Sequence, residues 1–297
     1  MKRFCLTLST LMAVFLLSLT PLYAGQTSNS SVIAQSLIHS SGKRSLEQVK
    51  KKEANTLVQN AVTIYDQTQN VILMIAHNQL KLAQNTLSRI SKEIDELSMQ
   101  VGNKEVPIGV TVYEITGVTN VKTAKKIIKR VKAAIKANNL VLARELLEQL
   151  RDEIVIDTKY LPINIFKQAV KLAQEFLKKG DPSRAIDSLN IAIYSIDVQT
   201  TIIPKPLAEA AILVSDAYSL YKSDKSTALK LLDAAEHKIT LARALGYIPK
   251  GTSVKELISK IEELKASIER ASSKSGEEFY NLKKTLKKAK EGITYKK

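Results

Sequence analysis

The sequence has no tryptophan and a single cysteine, and these two absences exclude several classes of site. The cysteine, Cys5, lies in an apolar N-terminal stretch, so the rest of the chain contains no thiol. Disulfides and cysteine-ligated zinc are therefore excluded there, and packing must hold the fold together. Aromatic residues make up only 5% of the sequence, which argues against a surface that stacks on sugars or nucleic-acid bases.

Motifs for catalysis and cofactor binding are also lacking. The sequence contains no Gly-x-Ser-x-Gly elbow, no Gly-x-x-x-x-Gly-Lys loop and no Gly-x-Gly-x-x-Gly fingerprint. Its three histidines, His39, His77 and His237, include no pair at the spacing of a zinc-binding helix. We therefore expect no enzymatic activity, no catalytic residues, no metal site and no cofactor.

One group of carboxylates comes nearest to a catalytic pair. Glu153 and Asp157 can share a strand face, as general acid–base chemistry would need, whereas Asp152 and Glu153 point to opposite faces. Because Arg151 and Lys159 lie beside them, the pattern favours salt-bridged scaffolding.

Acidic residues are scarce relative to basic ones. The chain has 29 Asp and Glu against 45 Lys and Arg, a formal net charge of +16. Such an excess is typical of proteins that bind nucleic acid, an anionic membrane or acidic partners. The ordinary alternative is that lysine-rich helices keep the protein soluble.

Residues 1–24 have the pattern of a secretory signal peptide, with a basic start, an apolar run over 4–19 and small or polar residues around Ala24. A membrane anchor is the alternative, but the apolar run is short for a span of about 20 residues. We expect cleavage near Ala24 and export to the periplasm or the medium, which argues against nucleic acid as a partner. Residues 25–44 are rich in Ser and Asn and predict a flexible linker, with Ser45 capping the first helix.

A turn dipeptide followed by an alanine and, four residues on, a leucine occurs four times. The copies are Asn78-Gln79 with Ala83 and Leu87, Asn138-Asn139 with Ala143 and Leu147, Gly180-Asp181 with Ala185 and Leu189, and Ser223-Asp224 with Ala228 and Leu232. Asn or Gly ends one helix in the left-handed conformation, Asn or Asp caps the next, and the small alanine allows a close crossing. The motif therefore predicts helical hairpins.

Extended, β-branched segments occur near 106–115, 153–161 and 195–203, and the last two lead into Pro162 and Pro204, 42 residues apart. Isolated strands need partners, so we expect these segments to form a small sheet. The sequence predicts a mainly α fold of duplicated hairpins in one compact domain over 45–250. A basic helical extension follows over 251–297, opened by a cap at Ser253.

The most cationic segment is a predicted helix over 122–136 that contains no acidic residue. Its basic residues are Lys122, Lys125, Lys126, Lys129, Arg130, Lys132 and Lys136. An apolar stripe flanked by cations suits an anionic lipid surface or an acidic partner, although a core-packed helix with a solvated outer face has the same pattern. Five lysines of the tail, at 283, 284, 287, 288 and 290, invite the same interpretation.

Several segments resemble the YfdX family: PIGVTVYEITGV, LLEQLRDEIVIDTKYLP, IIPKPLAEAAILVSDA and ALKLLDAAEHKITLARALGY. The resemblance covers roughly residues 46–247. It implies an exported, mostly helical bacterial protein linked to acid and heat stress, with no established catalytic activity. We accordingly expect non-covalent binding of unfolding proteins or small ligands, and a homo-oligomer. The alternative is a basic adaptor that docks on an anionic membrane or another envelope component.

Overall fold

The computed structural model describes residues 25–102, 104–248, 253–290 and 293–296. The predicted signal peptide, residues 1–24, lies outside the described residues. The described part contains eleven helices and four strands, which confirms a mainly α fold. The helices are α1 (Gly25–Ala54), α2 (Gln59–Ala76), α3 (Leu80–Val101), α4 (Val121–Lys136), α5 (Leu140–Glu148), α6 (Ile163–Lys178), α7 (Pro182–Tyr194), α8 (Lys205–Leu220), α9 (Lys225–Leu245), α10 (Val254–Glu269) and α11 (Ser275–Ala289). The strands are β1 (Glu105–Ile115), β2 (Glu153–Pro162), β3 (Asp197–Pro204) and β4 (Ile293–Lys296).

The predicted hairpins form because their turn residues have the required chemistry. Asn78, Asn138 and Gly180 have φ values of 59°, 54° and 74°, the left-handed conformation that ends a helix. Asp181 then caps α7, where its side chain accepts a hydrogen bond from the Arg184 amide, and Pro182 follows at the first helical position. The motif alanines are buried in all four hairpins. The motif leucines are buried too, except Leu147, which is 50% exposed on the nine-residue helix α5.

The three predicted extended segments are β1, β2 and β3, and they pair as expected. The sheet has the order β1-β2-β3-β4 and all its pairs are antiparallel. β1 and β2 pair from Glu105 opposite Pro162 to Ile115 opposite Glu153, with an irregularity between Pro107 and Gly109. β4 joins β3 at the sheet edge and was not predicted from the sequence.

Antiparallel pairing sends successive hairpins to opposite ends of the sheet. The pair α2–α3 leads into the start of β1, and α6–α7 leaves from the end of β2, which is the same end. These four helices share one core, in which Phe166 and Ile90 are fully buried. The helices α8 to α11 share a second core at the other end, and α4–α5 packs a small third cluster against Ala244 and Leu245 of α9.

Residues 25–44 differ from the expected flexible linker, because they form the first two-thirds of α1. Ser45 is consequently inside the helix, where its hydroxyl donates to the Gly42 carbonyl instead of capping a helix start. Long-range contacts stabilise this segment: Arg44 makes a two-pronged ion pair with Asp216 of α8, at 2.6 and 2.8 Å. A Cβ added at Gly42 would lie 2.6 Å from Oε1 of Glu209, so this glycine permits close approach of α1 to α8.

The expected C-terminal extension is part of the second core. Ser253 caps α10 as predicted, accepting a hydrogen bond from the Glu256 amide at 3.2 Å. Leu257, Leu264 and Phe279 are fully buried among residues of α8 and α9. The two C-terminal helices therefore complete the bundle that α8 and α9 begin.

Candidate functional site

A large groove lies between α1, α8, α11 and one face of the sheet. Its volume is about 950 Å³, near the upper end of the roughly 300–1,000 Å³ usual for small-molecule sites. The floor is apolar and is made by Val49 of α1, Ile156 and Ile203 of the sheet, and Ala211 and Ile212 of α8. Ile156 lies opposite Thr201, and Thr201 is two residues from Ile203 on β3, so Ile156 and Ile203 are on the same face of the sheet.

Lysines surround this floor, and we call the whole site the lysine-lined groove. Five lysines contribute to its walls: Lys52, Lys283, Lys284, Lys287 and Lys290. Four of them belong to α11 or its C-cap. Among the described lining residues the one carboxylate is Glu53, which is already paired with Lys52 at 3.0 Å.

The cations of α11 are poorly compensated. Lys283 lies 5.2 Å from the ring centroid of Tyr218 and contacts the Ser215 hydroxyl at 3.4 Å. For Lys284, Lys287 and Lys290, no described carboxylate lies within ion-pair distance. Burial and the like charges of Lys52 and Lys287 lower the pKa of Lys290. The groove thus combines an apolar surface with an excess of positive charge.

The sequence indicates the tail lysines as a cationic segment but does not show that they lie over an apolar floor. A signal was available, since Tyr280, Lys283, Lys287 and Lys290 recur at a spacing that puts them on one side of a helix. The buried stripe of Phe279, Leu282, Leu286 and Ala289 lies on the neighbouring side. What the spacing does not reveal is that α1 and the sheet lie opposite.

The predicted cationic helix is α4, and the structure keeps its basic residues together. All seven, from Lys122 to Lys136, are exposed, while Ala124, Ile127 and Val131 pack inward. Within the described ranges, none of the seven has a carboxylate at ion-pair distance. They are on a different part of the fold from the lysine-lined groove, which they do not line.

The turn between α4 and α5 exposes apolar side chains beside this charge. Ile135, Leu140 and Val141 are 54%, 64% and 72% exposed. We call these three residues the apolar tip. Exposed aliphatic residues next to uncompensated cations are a feature of surfaces that contact partners or membranes.

The three carboxylates considered from the sequence do not converge on a groove. Glu153 pairs with Arg151 at 2.9 Å and accepts a hydrogen bond from the Tyr247 hydroxyl at 3.1 Å, whereas Asp157 accepts from Thr200 at 2.6 Å. The predicted scaffolding role fits these contacts. Asp152 is buried, and its burial raises its pKa to about 6.

The histidines are dispersed over the fold. His39 is on α1, His77 caps the C-terminus of α2 and His237 is on α9. Over the described ranges, no cluster of three or more His, Cys, Asp and Glu residues could hold a metal ion. None of the helices in those ranges is long and apolar enough to cross a membrane.

Comparison with known proteins identifies the family. The family described as YfdX protein matches residues 42–202, which is more than half of the chain. Among solved structures, that of YfdX from Salmonella Typhi is similar at 12% identity and a TM-score of 0.36, over 50% of this chain and 92% of that chain. No curated protein matches. Because the family match covers more than half of the chain, from the second half of α1 into β3, the protein belongs to the YfdX family.

Proposed function

We propose that this YfdX-family protein is an exported, non-catalytic binding protein that protects envelope components during acid or heat stress. The observation that carries the proposal is the lysine-lined groove, whose apolar floor suits a small ligand or an apolar segment of an unfolding protein. Export is inferred from the pattern of residues 1–24, and the link with stress comes from the family resemblance. Self-association, expected from the sequence, is part of the same proposal.

An aggregation assay tests the protective role. A heat- or acid-labile client protein is followed by light scattering with and without the purified protein, at about pH 7 and pH 4.5, in low and high salt. Suppression that persists in high salt is expected, because salt screens exposed charges but does not weaken apolar contacts. A lack of suppression at every ratio would remove client protection from the proposal.

A matched pair of variants connects the effect to the groove. Ala211→Phe fills the floor from α8, whereas Ser219→Phe adds the same ring at an exposed position of that helix outside the groove. We expect Ala211→Phe to lower binding of the uncharged fluorophore N-phenyl-1-naphthylamine at least about fivefold, with Ser219→Phe unchanged. Equal binding by both variants would place the apolar site elsewhere.

A second candidate function is docking on an anionic membrane through α4 and the apolar tip. It is favoured by the seven exposed cations of α4, for which no described carboxylate lies at ion-pair distance, on the helix that leads into the apolar tip. Co-sedimentation with phosphatidylglycerol vesicles should decline steeply with salt. The double variant Lys125→Glu/Lys129→Glu should abolish it, whereas Lys171→Glu/Lys178→Glu, with the same charge change on α6, should retain most binding. Equal loss in both would show attraction by net charge alone.

A further inference from the structure

We propose that the lysine-lined groove takes a single-chain amphiphile with an anionic head group. Its alkyl chain would lie on the apolar floor and its head would contact the lysines of α11. This inference rests on the proposed function, because it specifies the class of ligand for the same groove.

The two chemical characters of the groove come from different elements. The aliphatic floor belongs to α1, the sheet and α8, where Val49, Ile203 and Ala211 are each partly exposed. The positive charge belongs mainly to α11, which forms one wall. A ligand that satisfies both must have an apolar part and an anionic part at separate ends.

The electrostatics favour an anion over a neutral head group. Lys284, Lys287 and Lys290 have no described carboxylate at ion-pair distance, and Lys290 is partly buried beside two like charges. Bringing such cations together costs free energy, which an anion recovers on binding. The lowered pKa of Lys290 fits this arrangement, and binding of an anion should raise it again.

Other occupants satisfy fewer of these features. A free phosphate would use the lysines and leave the apolar floor exposed to water. An uncharged lipid would cover the floor and leave the cations uncompensated. A second copy of the chain would bring its own excess of lysines towards this wall, since the chain has a formal charge of +16.

Calorimetric titration with four probes below their micellar concentrations tests the ligand class. Dodecanoate and lauroyl lysophosphatidylglycerol have anionic heads, dodecyl maltoside has an uncharged head, and inorganic phosphate has no chain. We expect the better anionic amphiphile to bind at least about tenfold more tightly than the maltoside, and phosphate to bind more weakly than either. The stronger of the two anionic probes distinguishes a fatty-acid source from a phospholipid source.

Variants of α11 localise the head group. Lys287→Gln and Lys290→Gln should each weaken the binding of dodecanoate about five- to tenfold and leave the affinity for dodecyl maltoside unchanged. The matched control is Lys288→Gln, the same change on the same helix outside the groove, which should alter neither affinity. Equal losses in Lys287→Gln and Lys288→Gln would overturn the proposed contact.

The outcomes separate this inference from the proposed function. If dodecyl maltoside and N-phenyl-1-naphthylamine bind as tightly as both anionic probes, the preference for an anionic head group is overturned. The proposed function as an apolar binding protein would then still hold. Failure of every alkyl probe and of the fluorophore would overturn both proposals.

Discussion

At the residue scale, the junction of β2, α8 and α9 contains a buried carboxyl group with incomplete hydrogen bonding. Asp152 is 2% exposed, and its Oδ1 has no hydrogen-bond partner among the described residues. Its main chain is well held, because the amide donates to the Tyr247 hydroxyl and the carbonyl accepts from the Lys205 amide. Three charged groups act on this carboxyl group: Lys205 and Lys238 lower its pKa, whereas Glu209, which is paired with Lys238, raises it.

The raised pKa of Asp152 predicts the direction in which the free energy of unfolding changes with pH. Its pKa is about 6 in the folded chain against 3.8 ordinarily, so the folded state binds the proton more tightly than the unfolded state. The stabilisation of the folded state by this bound proton is fully present below about pH 4 and is lost as pH rises through about 6. Asp152→Asn should therefore be more stable than the parent by about 1–3 kcal/mol at pH 7.5, with the difference vanishing near pH 4.

Urea unfolding across that pH range measures the effect. Asp187→Asn, at an exposed position of α7, is the control and should change the free energy of unfolding by less than about 0.5 kcal/mol at either pH. A less stable Asp152→Asn at pH 7.5 would mean that attraction to Lys205 outweighs the cost of burying the charge.

Substitution by alanine should lower stability much more at one glycine than at another. A Cβ at Gly117 would lie 2.2 Å from the carbonyl oxygen of Arg151, a backbone atom that cannot rotate away, whereas one at Gly109 would lie 3.6 Å from the Lys159 side chain. We expect Gly117→Ala to cost about 1–3 kcal/mol through displaced backbone and Gly109→Ala to cost much less. Thermal unfolding of the two variants measures the difference in stability. Similar midpoints would contradict the close approach of Gly117 to the Arg151 carbonyl oxygen.

At the element scale, α11 is attached by a cluster of three aromatic rings. Phe279 is fully buried and its ring centroid lies 5.4 Å from that of Tyr218 and 5.2 Å from that of Tyr221, both at the C-terminal end of α8. The same helix presents its lysines to the groove. Packing of this ring therefore holds one wall of the candidate site in place.

Removal of the ring should affect both stability and binding. Phe279→Ala should lower the free energy of unfolding by about 3–5 kcal/mol, the usual cost of deleting a buried aromatic ring. It should also weaken the binding of dodecanoate, because the lysines of α11 lose their fixed position. Tyr280→Ala, next along the chain but 67% exposed, should cost less than about 1 kcal/mol. Denaturant unfolding of the two variants measures these losses of stability, and equal losses would contradict the packing role of Phe279.

At the scale of the whole molecule, the sheet joins two helical cores that share few residues. Phe166 lies in the core of α2, α3, α6 and α7, and Leu264 lies in the core of α8 to α11. The connection between them is the four-stranded sheet, in which the hairpins α4–α5 and α6–α7 return the chain antiparallel to β1 and β2, and the four helices α8 to α11 lead to β4.

This division predicts regional opening. Phe166→Ala should speed amide hydrogen exchange mainly in α2, α3, α6 and α7, and Leu264→Ala should do so mainly in α8 to α11. Exchange followed by mass spectrometry at peptide resolution provides the measurement. Equal acceleration throughout the molecule by either variant would show that the two cores open as one cooperative unit.

Local features were the ones that the sequence predicted well. Two of the four hairpin turns, at Asn138-Asn139 and Gly180-Asp181, combine a residue with positive φ and a capping side chain. The other two have one feature each: Asn78 has a positive φ but Gln79 makes no capping hydrogen bond, and Asp224 caps α9 without a positive φ before it. β2 and β3 are rich in β-branched residues and end at Pro162 and Pro204. Both signals are contained in a few consecutive residues, so no knowledge of distant partners was needed.

Residues 25–44 were mispredicted because their helix depends on distant contacts. A Ser- and Asn-rich segment has weak helical preference by itself. The Thr227 hydroxyl donates to the Ser30 carbonyl, and the Ser30 hydroxyl donates to Asp224, so that α9 holds the N-terminal part of α1. None of these pairings is visible in local composition. The same reason applies to β4, a four-residue strand that needs β3 as a template.

The sequence alone determined the class of fold, the hairpin unit, the excess of lysine and the lack of thiols beyond the N-terminal stretch, because each depends on residue type and short spacing. Only the tertiary structure decided that lysines of α11 lie over an apolar floor built by α1, β2, β3 and α8. The groove joins residues from Gln48 to Lys290, and only packing of the two ends of the chain brings them together. The periodicity of a helix determines which residues share a face, but the partner opposite that face is chosen by the global burial of apolar surface.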